Sequence, residues 1–162
     1  MKKITFILFA LIAGTAFGQT DATATASAEI ITALKIENTA DLNFGKIAPL
    51  SDGTSTYVLD NTGASLGSTA TLIDATAQTV AAFTITAETD QAFSVTVDPT
   101  VTLTGGTGTD ITLTTDKNLL AAGNKITSGT TTTLNVGGSL ALASGQGSGT
   151  YSGTINVSVA YE

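Results

Sequence analysis

The sequence predicts an all-β sandwich, and three observations carry that expectation. Short apolar runs recur along the chain, separated by Gly, Asn, Asp and Ser at the spacing of sandwich strands. In the clearest runs the apolar residues occupy alternate positions, the period of a strand with one dry face. Thr and Val, which suit a pleated sheet, dominate these runs, and only residues 118–122 read as a helical turn.

Residues 1–18 have the pattern of a secretory signal peptide. Lys2 and Lys3 open it, residues 4–13 are apolar except Thr5, and Ala16, Phe17 and Gly18 supply a cleavage site before Gln19. The apolar run is too short to span a bilayer, and the chain has no cysteine for a lipoprotein anchor. The expected mature chain of 144 residues, 162 less 18, suits one domain with a core. It starts with a second alternation, Ala22, Ala24, Ala26 and Ala28 on the even positions, continuing into Ile30, Thr32, Leu34 and Ile36. This is long for one strand. It divides into a mobile extension at 19–28 with a small-residue face and a first strand at about 29–38, opening a domain over 29–162.

Further strands are expected at 42–47, 56–59, 70–73, 80–87, 92–97, 101–103, 111–114, 131–136 and 140–143. Phe93, Val95 and Val97 share one face, and Asp98-Pro99 ends that strand because proline donates no ladder hydrogen bond. Phe83, Ile85 and Ala87 form a similar face. Asn61-Thr62-Gly63, Gly105-Gly106 and Gly137-Gly138 read as turns. The last stretch, 149–162, alternates almost without a break: Tyr151, Gly153, Ile155, Val157, Val159 and Tyr161 on one side, Thr150, Ser152, Thr154, Asn156, Ser158 and Ala160 on the other. It reads as one long strand reaching nearly to the carboxylate, and such a strand needs a partner on each edge.

Composition excludes several functions. Beyond the signal peptide four lysines face thirteen acids, a net side-chain charge of −9, so nothing neutralises phosphates and nucleic-acid binding is not expected. Without histidine or cysteine there is no Ser-His or Cys-His pair and no ordinary zinc site. Asp52, Asp60, Asp90, Asp98, Asp110 and Asp116 sit at expected turns, where aspartates satisfy local backbone groups rather than act as paired catalytic carboxylates. Asp110 and Asp116 flank a strand and could meet a calcium ion with loop carbonyls, but they lack EF-hand spacing, and solvated turn residues are the expectation. The glycine-rich stretch 104–110 has no following helix or lysine, so it is not a phosphate loop. Tyr57, Tyr151 and Tyr161 are expected in the sheets or core rather than in a sugar site. No enzyme activity, metal or cofactor is expected.

The glycine fourteenth from the end, Gly149, the next-to-last Tyr161 and the apolar alternation between them resemble the terminal motif of chaperone–usher pilins. The resemblance implies an immunoglobulin-like sandwich lacking its final strand, with a groove beside the last strand. A periplasmic chaperone fills that groove first, and the N-terminal extension of the next subunit replaces it. Carried onto this chain, it implies a subunit and chaperone interface at Ala22, Ala24, Ala26 and Ala28 of the donor and Gly149, Tyr151, Ile155, Val157, Val159 and Tyr161 of the acceptor. The partners would be other copies of the chain, the chaperone and an outer-membrane usher, without a transmembrane anchor. The location would be a pilus on a Gram-negative cell, reached through the periplasm. Residues 26–47 also resemble the opening of a secreted bacterial family of unknown function, numbered 4402, whose members look like pilin or spore-coat-like sandwich subunits. Many pilins carry a disulfide, and this chain has none. The alternative is a self-complete secreted sandwich that binds or adheres through its loops.

Overall fold

A computed structural model describes residues 20–118 and 124–162. The expected signal peptide, Gln19 and most of the expected helical turn lie outside the described residues. The chain divides into a segment ending at Ile30 and a compact body, Ile31–Glu162. Residues 20–30 form no strand and their side chains are exposed.

The strands in chain order are β1 (Lys35–Ala40), β2 (Lys46–Ala48), β3 (Ser55–Leu59), β4 (Thr71–Asp74), β5 (Ala81–Thr86) and β6 (Phe93–Val97). After these come β7 (Thr100–Gly105), β8 (Ile111–Lys117), β9 (Thr131–Leu142), β10 (Tyr151–Ser152) and β11 (Val157–Tyr161). All pairings are antiparallel. The large sheet runs β1-β5-β9-β8-β7-β10, with β3 also on β9. Two short pairs, β11-β6 and β2-β4, make up the opposing layer of the sandwich.

The core lies between these layers as two clusters. Leu113, Leu140, Tyr57 and Leu59 of the large sheet pack with Phe44, and Ile47 and Leu72 of the β2-β4 pair lean on them. Ile85, Leu134 and Val136 pack with Phe93 of β6, and Val157, Val159 and Tyr161 of β11 cover that second cluster. Tyr57 is a core residue: its ring meets Phe44 edge to face at 6.3 Å and 81°, and its hydroxyl accepts from Gln78 Nε2 at 2.6 Å. Burying the ring requires a partner for that hydroxyl.

Three expectations about strand limits are corrected. The first strand begins at Lys35, not near Glu29. The Thr32 N–H donates to Glu88 Oε2 at 2.8 Å and its carbonyl accepts from the Tyr161 hydroxyl at 2.8 Å. Side chains therefore take the backbone groups that a strand would give to a neighbour.

The expected strands at 131–136 and 140–143 are one strand, β9, and Gly137-Gly138 is not a turn. Along one edge β9 pairs with β5 as far as Ala81↔Val136, then with β3 from Leu59↔Gly138 onward. β8 runs along the other edge. A Cβ on Gly137 would lie 2.3 Å from the Leu59 carbonyl oxygen, and one on Gly138 would lie 2.4 Å from that of Thr114. The glycines sit where β9 changes partners and neighbouring backbone closes in.

The last stretch is not one strand. β10 pairs with β7 of the large sheet and β11 pairs with β6 of the opposing layer. Residues 153–156 carry the chain from one layer to the other. Asp98 holds that crossing, its Oδ2 accepting from Asn156 N at 3.2 Å and from Asn156 Nδ2 at 2.7 Å.

Candidate functional site

A groove of about 950 Å³ opens between the large sheet and the opposing layer. Its floor is the inner face of the large sheet: Phe83 of β5, Leu103 of β7, Ile111 and Leu113 of β8, and Leu140 and Leu142 of β9. One wall runs from Asn38 at the end of β1 to Ile47 in β2, and the other is the segment from Gln146 to Ile155. The two walls thus come from the first and last parts of the body.

Local chemistry shapes each wall. Residues 42–47 were expected as one strand, but Asn43 makes only an isolated bridge to Thr79 and β2 begins at Lys46. Gly45 breaks the run. It has φ +77, and a Cβ there would stand 2.4 Å from the Asp74 carbonyl oxygen, a conformation and an approach that suit glycine alone. On the opposite wall Gly149 has φ +140, and its Cβ would meet the Gly106 Cα at 2.4 Å. The adjacent Tyr151 hydroxyl donates to the Gly147 carbonyl at 2.8 Å. It accepts from Gln146 Nε2 at 2.9 Å and the Gly108 N–H at 3.1 Å. These contacts tie the wall to the loop after β7.

The residues expected at the interface divide into three sets. Gly149, Tyr151 and Ile155 line the groove. Val157, Val159 and Tyr161 are not in its lining; they face the second core cluster from β11. Ala22, Ala24, Ala26 and Ala28 lie exposed in the segment before the body. The inward side of the last stretch is as expected: Tyr151, Ile155, Val157, Val159 and Tyr161 are half-buried, and every even position is exposed. Sequence reasoning missed the wall around Phe44 and the floor residues Phe83 and Leu103. The Leu42-Asn43-Phe44-Gly45 run, with a glycine ending an apolar pair, was the available signal.

Tyr161 works as a clasp. Its hydroxyl accepts the Glu88 N–H at 2.7 Å and donates to the Thr32 carbonyl at 2.8 Å. Hydrogen bonds from the Thr32 side chain and N–H hold the Glu88 carboxyl below its ordinary value. Tyr161→Phe should lower stability by about 1–2 kcal/mol, for two lost hydrogen bonds at a half-buried site. Tyr161→Ser also removes the ring and should cost about 2–4 kcal/mol. Ser158→Ala, on the exposed side, should stay within about 0.5 kcal/mol. Urea midpoints measure all three, and equal values for Tyr161→Ser and Ser158→Ala would refute the inward placement.

The acids are bound up in turns and crossings. Asp60 Oδ1 accepts from the Thr62 hydroxyl at 2.6 Å, the Ala64 N–H at 2.9 Å and the Thr62 N–H at 2.9 Å. These bonds, led by the Thr62 hydroxyl, lower its pKa. Asp74 is lowered in the same way by the Thr76 hydroxyl and N–H. Asp116 Oδ2 accepts from Asn61 Nδ2 at 2.6 Å. Among the described residues no group of three His, Cys, Asp or Glu is placed to hold a metal ion.

The family "Domain of unknown function (DUF4402)" matches residues 34–161. The chain belongs to this family. The match takes in both walls and the floor of the groove and begins after the exposed segment that ends at Ile30. Neither a curated protein nor a solved structure matches this DUF4402 chain. No helix among its described residues is long and apolar enough to cross a membrane.

Proposed function

We propose that the chain is a structural subunit of a cell-surface pilus, exported to the periplasm of a Gram-negative bacterium and polymerised by donor-strand exchange. Its partners in this reading are other copies of itself, a periplasmic chaperone and an outer-membrane usher. The observation that carries the proposal is the groove itself: it runs over apolar residues of the large sheet between wall segments from the first and last parts of the body. Filling such a groove with an extended segment lets main-chain hydrogen bonds supply affinity while alternate side chains enter the floor.

Strand edges support the reading. In the described pairings β2 pairs only with β4 and β10 only with β7, so each groove wall carries a strand with a free edge. The donor segment, residues 20–30, spans roughly 35 Å when extended, long enough to lie along several residues of a groove wall. Its alternate alanines are small enough for the backbone to lie close to the glycine-rich rim.

One observation favours the second reading, a self-complete secreted sandwich that binds a ligand. The groove volume of about 950 Å³ falls within the roughly 300–1,000 Å³ of small-molecule sites. Deleting residues 20–30 separates the two readings. Under donor-strand exchange the shortened chain accepts a donor but cannot give one, so it forms no fibre alone and shortens fibres when mixed with the full chain. Electron micrographs showing fibres of unchanged length in the mixture would reject the exchange mechanism.

A further inference from the structure

We infer that the donor segment is keyed by Glu29 and Ile30: Ile30 of one copy anchors in the apolar floor of the next, and Glu29 pairs with that copy's Lys46 on the rim. This rests on the donor-strand reading and gives it a register and an anchor. The alanines cannot serve as the anchor, since each buries little apolar area. Ile30 lies on the same side of the alternation as Ala22, Ala24, Ala26 and Ala28, and it is 95% exposed in the lone chain. It is the most exposed of the large apolar side chains among the described residues, so covering it removes the most apolar surface from water.

The clasp sets where the segment stops. Thr32 is held through its carbonyl by Tyr161 and through its N–H by Glu88. Residues up to Ile30 belong to the segment before the body, and Ile30 stands two positions ahead of that point. In an extended strand Glu29 points opposite to Ile30. With Ile30 directed into the floor, Glu29 stands at the rim.

The rim offers Glu29 a partner. Lys46 lines the groove and is exposed. The other described lysines are engaged: Lys35 with Glu37 at 2.6 Å, Lys125 with Asp90 at 3.4 Å, and Lys117 Nζ donating to the Val95 carbonyl at 2.7 Å. Lys46 has neither an ion pair nor a side-chain hydrogen bond among the described residues. The acid on the same wall, Asp41, accepts from Asn38 Nδ2 at 2.7 Å.

A fluorescent peptide of residues 20–32, titrated with the monomeric fraction of the full chain and followed by anisotropy, tests the inference. The unaltered peptide should bind. Ile30→Ser in the peptide should weaken binding roughly 10–100-fold, while Ala24→Ser should change it less than about threefold. Glu29→Lys should weaken binding roughly three- to tenfold, and Lys46→Glu in the protein should restore most of that loss. Equal binding of the unaltered and Ile30→Ser peptides would overturn the anchor and leave the donor-strand reading standing. A Glu29→Lys loss that Lys46→Glu does not relieve would overturn the register. No binding by the unaltered peptide would overturn both the inference and the donor-strand reading. In the full chain Ile30→Ser alters a solvent-exposed side chain, so its expected loss of fibre yield is free of a folding defect; an unchanged yield counts against the anchor.

Discussion

A fusion that carries a second copy of residues 20–30 after Glu162, behind a short flexible linker, should be a monomer that melts well above the parent and forms no fibre. The linker turns a bimolecular step into one within the chain, at an effective concentration of roughly millimolar. If that exceeds the dissociation constant a hundredfold, the native state gains about 2.7 kcal/mol. For a domain of this size that corresponds to about 5–10 °C in melting temperature. The added segment occupies the groove that another copy's segment would enter, so growth stops. The self-complete sandwich predicts a dangling tail and no thermal shift. Calorimetry and size-exclusion chromatography give the decision. An unchanged melting temperature beside a parent that stays monomeric would remove the donor-strand reading.

Gly137→Ala should destabilise the body by about 2–3 kcal/mol, because the new methyl group meets backbone on the partner strand. Its Cβ would stand 2.3 Å from the Leu59 carbonyl oxygen and 2.5 Å from that of Asp60. Backbone cannot rotate aside as the end of a side chain can, so either β3 or β9 must shift. Thr133→Ala, at an exposed position of the same strand, should cost less than about 1 kcal/mol. Denaturant midpoints for the two variants check the difference. Similar midpoints would mean that Gly137 is a turn residue with room for a side chain, and that β9 does not run continuously between β5 and β3.

The sequence by itself determined the class of fold, most strand positions and which side of the clearest strands is dry. Alternation is a local property: successive side chains point to opposite faces whatever the partner strand is. That is why residues 149–162 could be sorted correctly into inward and outward positions before any pairing was known. The same holds for Phe93, Val95 and Val97, and for the halt at Asp98-Pro99. Asn61-Thr62-Gly63 was legible for a related reason, since turn chemistry lies within four residues: Gly63 takes φ +85 there, and Asp60 accepts the N–H groups that follow.

Only the tertiary structure decided which strands meet. Gly137-Gly138 has the composition of a turn, but its glycines are required by the backbones of β3 and β8, which are distant in sequence. The unbroken alternation of the last stretch hides a passage between two layers, because a strand that changes sheets keeps its side-chain period. Consequently Gly149, Tyr151 and Ile155 border the groove, whereas Val157, Val159 and Tyr161, on the same side, close a different part of the core. The groove itself is a place where no strand pairs. Its existence follows from non-local pairings that set how the opposing layer and the last stretch meet the large sheet's inner face, and no local pattern of residues encodes that.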